Sequence, residues 1–157
     1  MAMFKPDEIY QFALKIEENG EKFYRKVSAR LDNKDLKDLF KFLADEEVKH
    51  KKTFQAMLAD IQDYKPSESY PGEYFKYLKA YADNLIFSME KLEDDINKIE
   101  EALPAVDYAI KKELDTIAYY REMQTTVPES EVSKIEKIIA EERKHVVKLS
   151  ELKEKLS

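Results

Sequence analysis

The chain has 157 residues, 43% of them hydrophobic, enough for one domain, residues 1–157, with a core of its own. Its 33 acidic against 27 basic residues give a formal net charge of −6, with Lys and Glu interleaved as on solvated helix faces, which argues against nucleic acid as a partner. The absence of cysteine excludes disulfides, thiolate metal sites and iron–sulfur clusters, and without an apolar run of about 18 residues or a signal-type start the sequence predicts no membrane span and a cytoplasmic location.

Only two Gly and five Pro interrupt the chain, so long helices are expected. The first runs from about Asp7 to Leu31, with an inward row Tyr10, Glu17, Tyr24, Leu31 flanked by Ala13, Gly20 and Val27. A turn at Asp32-Asn33-Lys34 leads to the second, about Asp35 to Asp63. Its rows read Leu36, Leu43, His50, Met57 and Phe40, Glu47, Phe54, Ile61, apolar except at the Glu and the His. The long connection, 64–103, opens turn-rich at Lys65–Gly72 and then carries two weaker helical stretches, near Glu73–Tyr81 and Ser88–Glu101. The third long helix spans about Pro104 to Gln124, with a row Val106, Glu113, Tyr120, Val127. Thr126-Val127-Pro128-Glu129 reads as a capping box opening the fourth, which continues to about Leu156 and repeats the second helix's pattern in Ile138, His145, Leu152 and Ile135, Glu142, Leu149, Leu156. Residues seven apart drift only about 20° around a helix, so each row is one face. The prediction is all-α: a helical hairpin at 7–63, a crossover at 64–103 with extra short helices, and a hairpin at 104–156.

The chain has two histidines, and each follows a glutamate by three residues, as Glu47-x-x-His50 and Glu142-x-x-His145. That spacing puts carboxylate and imidazole on one side of a helix. Polar groups within an apolar face are costly unless paired or bound to metal. The stretch from Ala13 to Arg25 matches Ala109 to Arg121 at an offset of 96, and the Glu-x-x-His pairs are offset by 95, so the chain reads as a duplicated hairpin. A pseudo-twofold axis then brings Glu17, Glu47, His50, Glu113, Glu142 and His145 to one centre, a ligand set for two divalent transition metals. Glu17 and Glu113 are terminal ligands, Glu47 and Glu142 bridge, and each His completes one side. Oxygen and nitrogen ligands without sulfur suit iron or manganese, with zinc as a possible occupant. Tyr24 and Tyr120 stand equally as hydrogen-bond partners of ligand carboxylates or as core residues. Glu18, Glu46 and Glu141 point about 100° away from their ligand neighbours and are expected in solvent, as is the acidic run Glu90, Glu93, Asp94, Asp95.

These motifs, Glu17–Tyr24, Leu43–His50, Ala109–Tyr120 and Glu141–His145, resemble the rubrerythrin-like members of the ferritin-like di-iron carboxylate superfamily. The resemblance covers the four long helices and leaves out Tyr64 to Leu103. It implies a four-helix ferritin-like bundle holding two iron ions at the six residues above, with no catalytic residue beyond the ligands, and reduction of hydrogen peroxide; relatives include ferroxidases and iron-storage proteins. Two departures stand out. Typical members carry a rubredoxin-like domain with four cysteines, so the electron donor here is expected to be a separate, rubredoxin-like protein. They also carry a further glutamate one turn after the ligand of the third helix, and Thr116 occupies that place.

The favoured reading is an oxidoreductase reducing peroxide or O₂ with external electrons. The alternatives are a ferroxidase or iron-handling protein and a non-catalytic interaction bundle. A homodimer is expected, with the region from Glu73 to Glu101 covering its own bundle or reaching across the dimer.

Overall fold

A computed structural model describes residues 6–61, 73, 76–83 and 91–157, and among these the only regular structure is helix. The long elements are α1 (Pro6–Arg30) and α2 (Lys34–Asp60), then a short α3 (Leu92–Lys98), then α4 (Ala102–Gln124) and α5 (Glu129–Leu156). Residues 76–83 are also helical, in part of the stretch expected to be so, whereas the turn-rich Lys65–Gly72 and Glu90 lie outside the described residues. Three residues join α1 to α2 and four join α4 to α5, which forces antiparallel hairpins. α1 packs chiefly on α2 and α4 on α5, and α2 against α5 closes a four-helix, ferritin-like bundle.

Local chemistry sets the helix ends. Asn33 caps α2, its side-chain oxygen accepting from the Leu36 amide at 2.9 Å. Pro104 is the third residue of α4, where no intrahelical donor is needed. The expected capping box before α5 does not form. Pro128 stands at the N-cap with no side-chain cap, and the Thr126 hydroxyl turns back to donate to the Met123 carbonyl at 2.8 Å. Proline holds the backbone at the required φ, so the threonine is free to close α4 instead.

The short α3 lies on α1 through buried Leu92 and Ile96. Lys22 and Lys26 both reach Glu93, at 2.5 Å, and Arg30 donates to the carbonyl of Asn97 at 3.1 Å. From α4, the Tyr108 hydroxyl donates to Asp95 at 3.0 Å.

The buried apolar residues fall into two clusters. One gathers the first half of α1 with the ends of α2 and α4 and the start of α5, among them Ile9, Phe12, Phe54, Met57, Tyr119 and Ile135. The other gathers the second half of α1 with the start of α2 and α4 and the end of α5, among them Phe23, Val27, Phe40, Leu43, Val106 and Leu149. Along all four helices the change from one cluster to the other occurs at Glu17, at Glu47 and His50, at Glu113, and at Glu142 and His145. These side chains therefore form a polar layer between two apolar cores.

Candidate metal centre

All six predicted residues are buried, from 0% exposed for Glu142 to 4% for Glu113. Their ligand atoms form two groups, each lying within 4.8 Å of one another: Glu17, Glu47, His50 and Glu142 in one, and Glu47, Glu113, Glu142 and His145 in the other. Glu47 and Glu142 belong to both, as a pair of shared carboxylates would. The two imidazoles stand side by side, with centroids 5.9 Å apart and planes at 22°. Nδ1 of His50 lies 2.8 Å from Glu142 Oε1 and 3.7 Å from Glu17 Oε1. Nδ1 of His145 lies 3.2 Å from Glu142 Oε2 and 3.8 Å from Glu113 Oε1.

Two tyrosines cross the bundle at this layer. Tyr24 of α1 donates to Glu113 Oε1 of α4 at 2.6 Å, and Tyr120 of α4 donates to Glu17 Oε1 of α1 at 2.5 Å. Each hydroxyl thus holds one oxygen of the carboxylate on the facing helix and leaves the other bare. Glu17 Oε2, Glu113 Oε2 and Glu47 Oε1 have no hydrogen-bond partner, and Glu142 Oε1 faces His50 Nδ1 at 2.8 Å. Buried carboxylate oxygens without donors are rare, because desolvation costs several kcal/mol per ion. Three such oxygens in one polar layer, beside two imidazole nitrogens, fit cations, and four carboxylates match the charge of two divalent ions.

Metal-free, the layer spreads its charge through protons. Burial, then the charge of Glu142, pushes the Glu113 carboxyl well above the usual range, and burial with Glu142 and Glu17 does the same to Glu47. Burial also opposes charge on Glu142, but donors at Glu113, His145 and His50 outweigh it and hold that carboxyl low. Burial disfavours the imidazoliums as well, yet carboxylate contacts prevail and push His50 up to about 12 and His145 to about 9. Both histidines are therefore protonated at neutral pH without metal. Metal uptake must expel those two protons and any held by Glu47 and Glu113, so affinity rises as pH rises from 6 to 8. Calorimetric titration with Mn²⁺ in buffers of different ionisation enthalpy is expected to show at least about two protons released as the site fills. A buffer-independent enthalpy would contradict this.

Three residues near the centre depart from the sequence expectation. Glu141 is not simply solvated: its Oε2 lies 2.6 Å from His50 Nε2, which leaves Nδ1 facing the centre. Glu46 is also drawn in, with its side chain 15% exposed and grouped with His50 and Glu141. A rotation of 100° from the core face still reaches the groove against the next helix of a bundle. Glu18 does stay outside, 54% exposed and paired with Lys51. On the other histidine, the Phe42 ring packs edge-on at 6.3 Å.

Gly20 is the third. A Cβ there would lie 2.7 Å from Glu47 Oε2 and 3.1 Å from Glu47 Cδ. Glycine inside a helix costs about 0.5–1 kcal/mol relative to alanine, so its presence marks space that the Glu47 carboxylate uses. For Gly20→Ala, the metal-free protein is expected to melt at the same temperature or higher, while Mn²⁺ affinity measured by calorimetry falls about tenfold. Unchanged affinity would show that Glu47 needs no clearance at this point.

Comparison with known proteins agrees with this geometry. The rubrerythrin family matches residues 8–103. The chain belongs to that family. The match takes in Glu17, Glu47 and His50 and stops short of Glu113, Glu142 and His145, which the fold brings to the same layer. This rubrerythrin-family chain is also similar to the crystal structure of a protein from Thermotoga maritima described as ferritin-like and diiron-carboxylate, with a TM-score of 0.73 and 25% identity, covering 100% of this chain and 99% of that one. No curated protein matches. Family and buried cluster together point to a diiron protein. No described helix is long and apolar enough to cross a membrane.

Proposed function

We propose that Glu17, Glu47, His50, Glu113, Glu142 and His145 hold two iron ions, and that the chain reduces hydrogen peroxide or O₂ with electrons from a separate donor protein. The observation that carries this reading is the pair of overlapping ligand groups with Glu47 and Glu142 in common. Two ferrous ions held there would supply two electrons, which with two protons take hydrogen peroxide to two waters.

The chain's own residues would do the rest. Tyr24 and Tyr120 fix the outer carboxylates across the bundle. Glu141 holds the His50 ring so that Nδ1 faces inward, the usual device for making a histidine ligand directional and more basic. The apolar clusters on either side keep bulk water from the layer. The 157 residues contain no cysteine, so these residues offer no thiolate electron carrier, which supports an outside donor such as a rubredoxin-like protein.

A second reading, iron handling, has its own support. A cleft between α2 and α5 is lined by Glu46, Lys49, His50, Thr53, Lys137 and Glu141 among others. Glu46 and Glu141 are suited to passing Fe²⁺ inward. Stopped-flow mixing of the diferrous protein with H₂O₂ and with O₂ separates the readings. Fast, repeated oxidation and re-reduction with a rubredoxin present supports the oxidoreductase. Slow oxidation that ends with many ferric ions retained per chain supports iron handling. Metal analysis and Mössbauer spectra of the oxidised form test for the iron pair itself.

A further inference from the structure

A second cavity reaches the centre from the opposite direction. It lies between α1 and α4, beneath α3, and has a volume of about 60 Å³. Glu47 and Glu113 line it, together with the carbon surfaces of Ile16, Phe23, Leu92 and Tyr108. The Phe23 and Tyr108 rings stack at 4.9 Å and 29°, and Leu92 is held over α1 by the Glu93 pairs to Lys22 and Lys26. Gly20 and Thr116 keep the space open: the first has no side chain, and the second is short, its hydroxyl donating to the Lys112 carbonyl of its own helix at 2.8 Å. Lys112 and Asp115 also line the cavity and cancel in charge.

Size and wall chemistry select the occupant. An apolar cavity of about 150 Å³ holds benzene or xenon, so one less than half that size admits two or three heavy atoms and no ring. Once Glu47 and Glu113 ligate metal, the wall that remains is mostly carbon, and a strongly hydrogen-bonding solute finds few partners there, which costs about 1–3 kcal/mol per unmet group. Hydrogen peroxide, with two donors, is better served by the polar cleft between α2 and α5. We propose that the α1–α4 cavity admits an uncharged molecule of dioxygen's size and holds it beside Glu47 and Glu113; as a route to the metal pair, this rests on the reading above. Thr116, short and turned to its own helix, leaves that space open.

Crystals of the metal-free protein pressurised with xenon test the cavity, with Thr116→Leu as the filled form. A xenon peak between Phe23, Leu92 and Thr116 is expected in the parent and not in the variant. No peak in the parent overturns the proposal. In stopped-flow mixing, the diferrous variant with the parent's iron content is expected to react about tenfold slower with O₂ and within about twofold of the parent with H₂O₂. Equal slowing with both oxidants, or none with O₂, overturns the assignment to dioxygen. If the parent takes up no iron, the di-iron reading fails by itself, and the xenon result still decides whether the cavity accepts a small apolar guest. Melting of Thr116→Leu at the parent's temperature is the check that the variant is folded.

Discussion

Replacing Glu47 and Glu142 together by glutamine is expected to take bound iron from about two ions per chain to none, with the helices intact. These carboxylates belong to both ligand groups, so their loss removes half the donors of each. Glutamine keeps the volume, and its carbonyl still accepts from a protonated imidazole, so the metal-free fold should survive. In the parent, each ion at a hundredfold excess over its dissociation constant adds about 2.7 kcal/mol. Two ions raise the melting temperature by about 10–20 °C in a protein of this size. The double variant should melt at one temperature with or without Fe²⁺ or Mn²⁺. Glu18→Gln is the control: one residue from Glu17 and 54% exposed, it should bind metal as the parent does. A double variant that still binds two ions, or is stabilised by them equally, would refute the site.

Phe40→Ala is expected to cost about 3–5 kcal/mol, against less than about 1 kcal/mol for Phe42→Ala two positions on. Phe40 is fully buried, its ring 4.9 Å from Tyr24 and 5.9 Å from Phe23. Phe42 is 39% exposed and rests under the Lys148 ammonium, 4.1 Å from its ring centre. The comparison tests more than packing. Phe40 and Glu47 are seven residues apart on one face of α2, so a helix rotated enough to exchange the two phenylalanines would also turn Glu47 and His50 outward. Urea melts of the two variants read the difference. A larger loss for Phe42→Ala would sink both the helix orientation and the metal layer built on it.

Much of the centre was legible from single residues. Two histidines, each three after a glutamate, on faces otherwise carrying Leu, Ile, Phe and Met, define inward polar pairs without knowledge of the fold, because helical periodicity decides direction. The 95–96 residue offset between the halves adds Glu17 and Glu113 to them. Hairpin connectivity follows from loops too short for anything else. The capping box expected at Thr126 does not form, because a threonine near a helix start is equally able to close the helix before it, and Pro128 makes its service as an N-cap unnecessary.

What the sequence determined by itself is which side chains face the interior, since that depends on spacing along one helix and on the cost of burying a charge without a partner. Relations between helices belong to the tertiary structure alone. They set the crossing of Tyr24 to Glu113 and Tyr120 to Glu17, the turn of Glu141 onto His50, the clearance Gly20 leaves for Glu47, and the small cavity beneath α3. Each depends on distances of a few ångströms between helix surfaces, which are fixed by how two cores pack around the polar layer and leave no periodic trace in the chain.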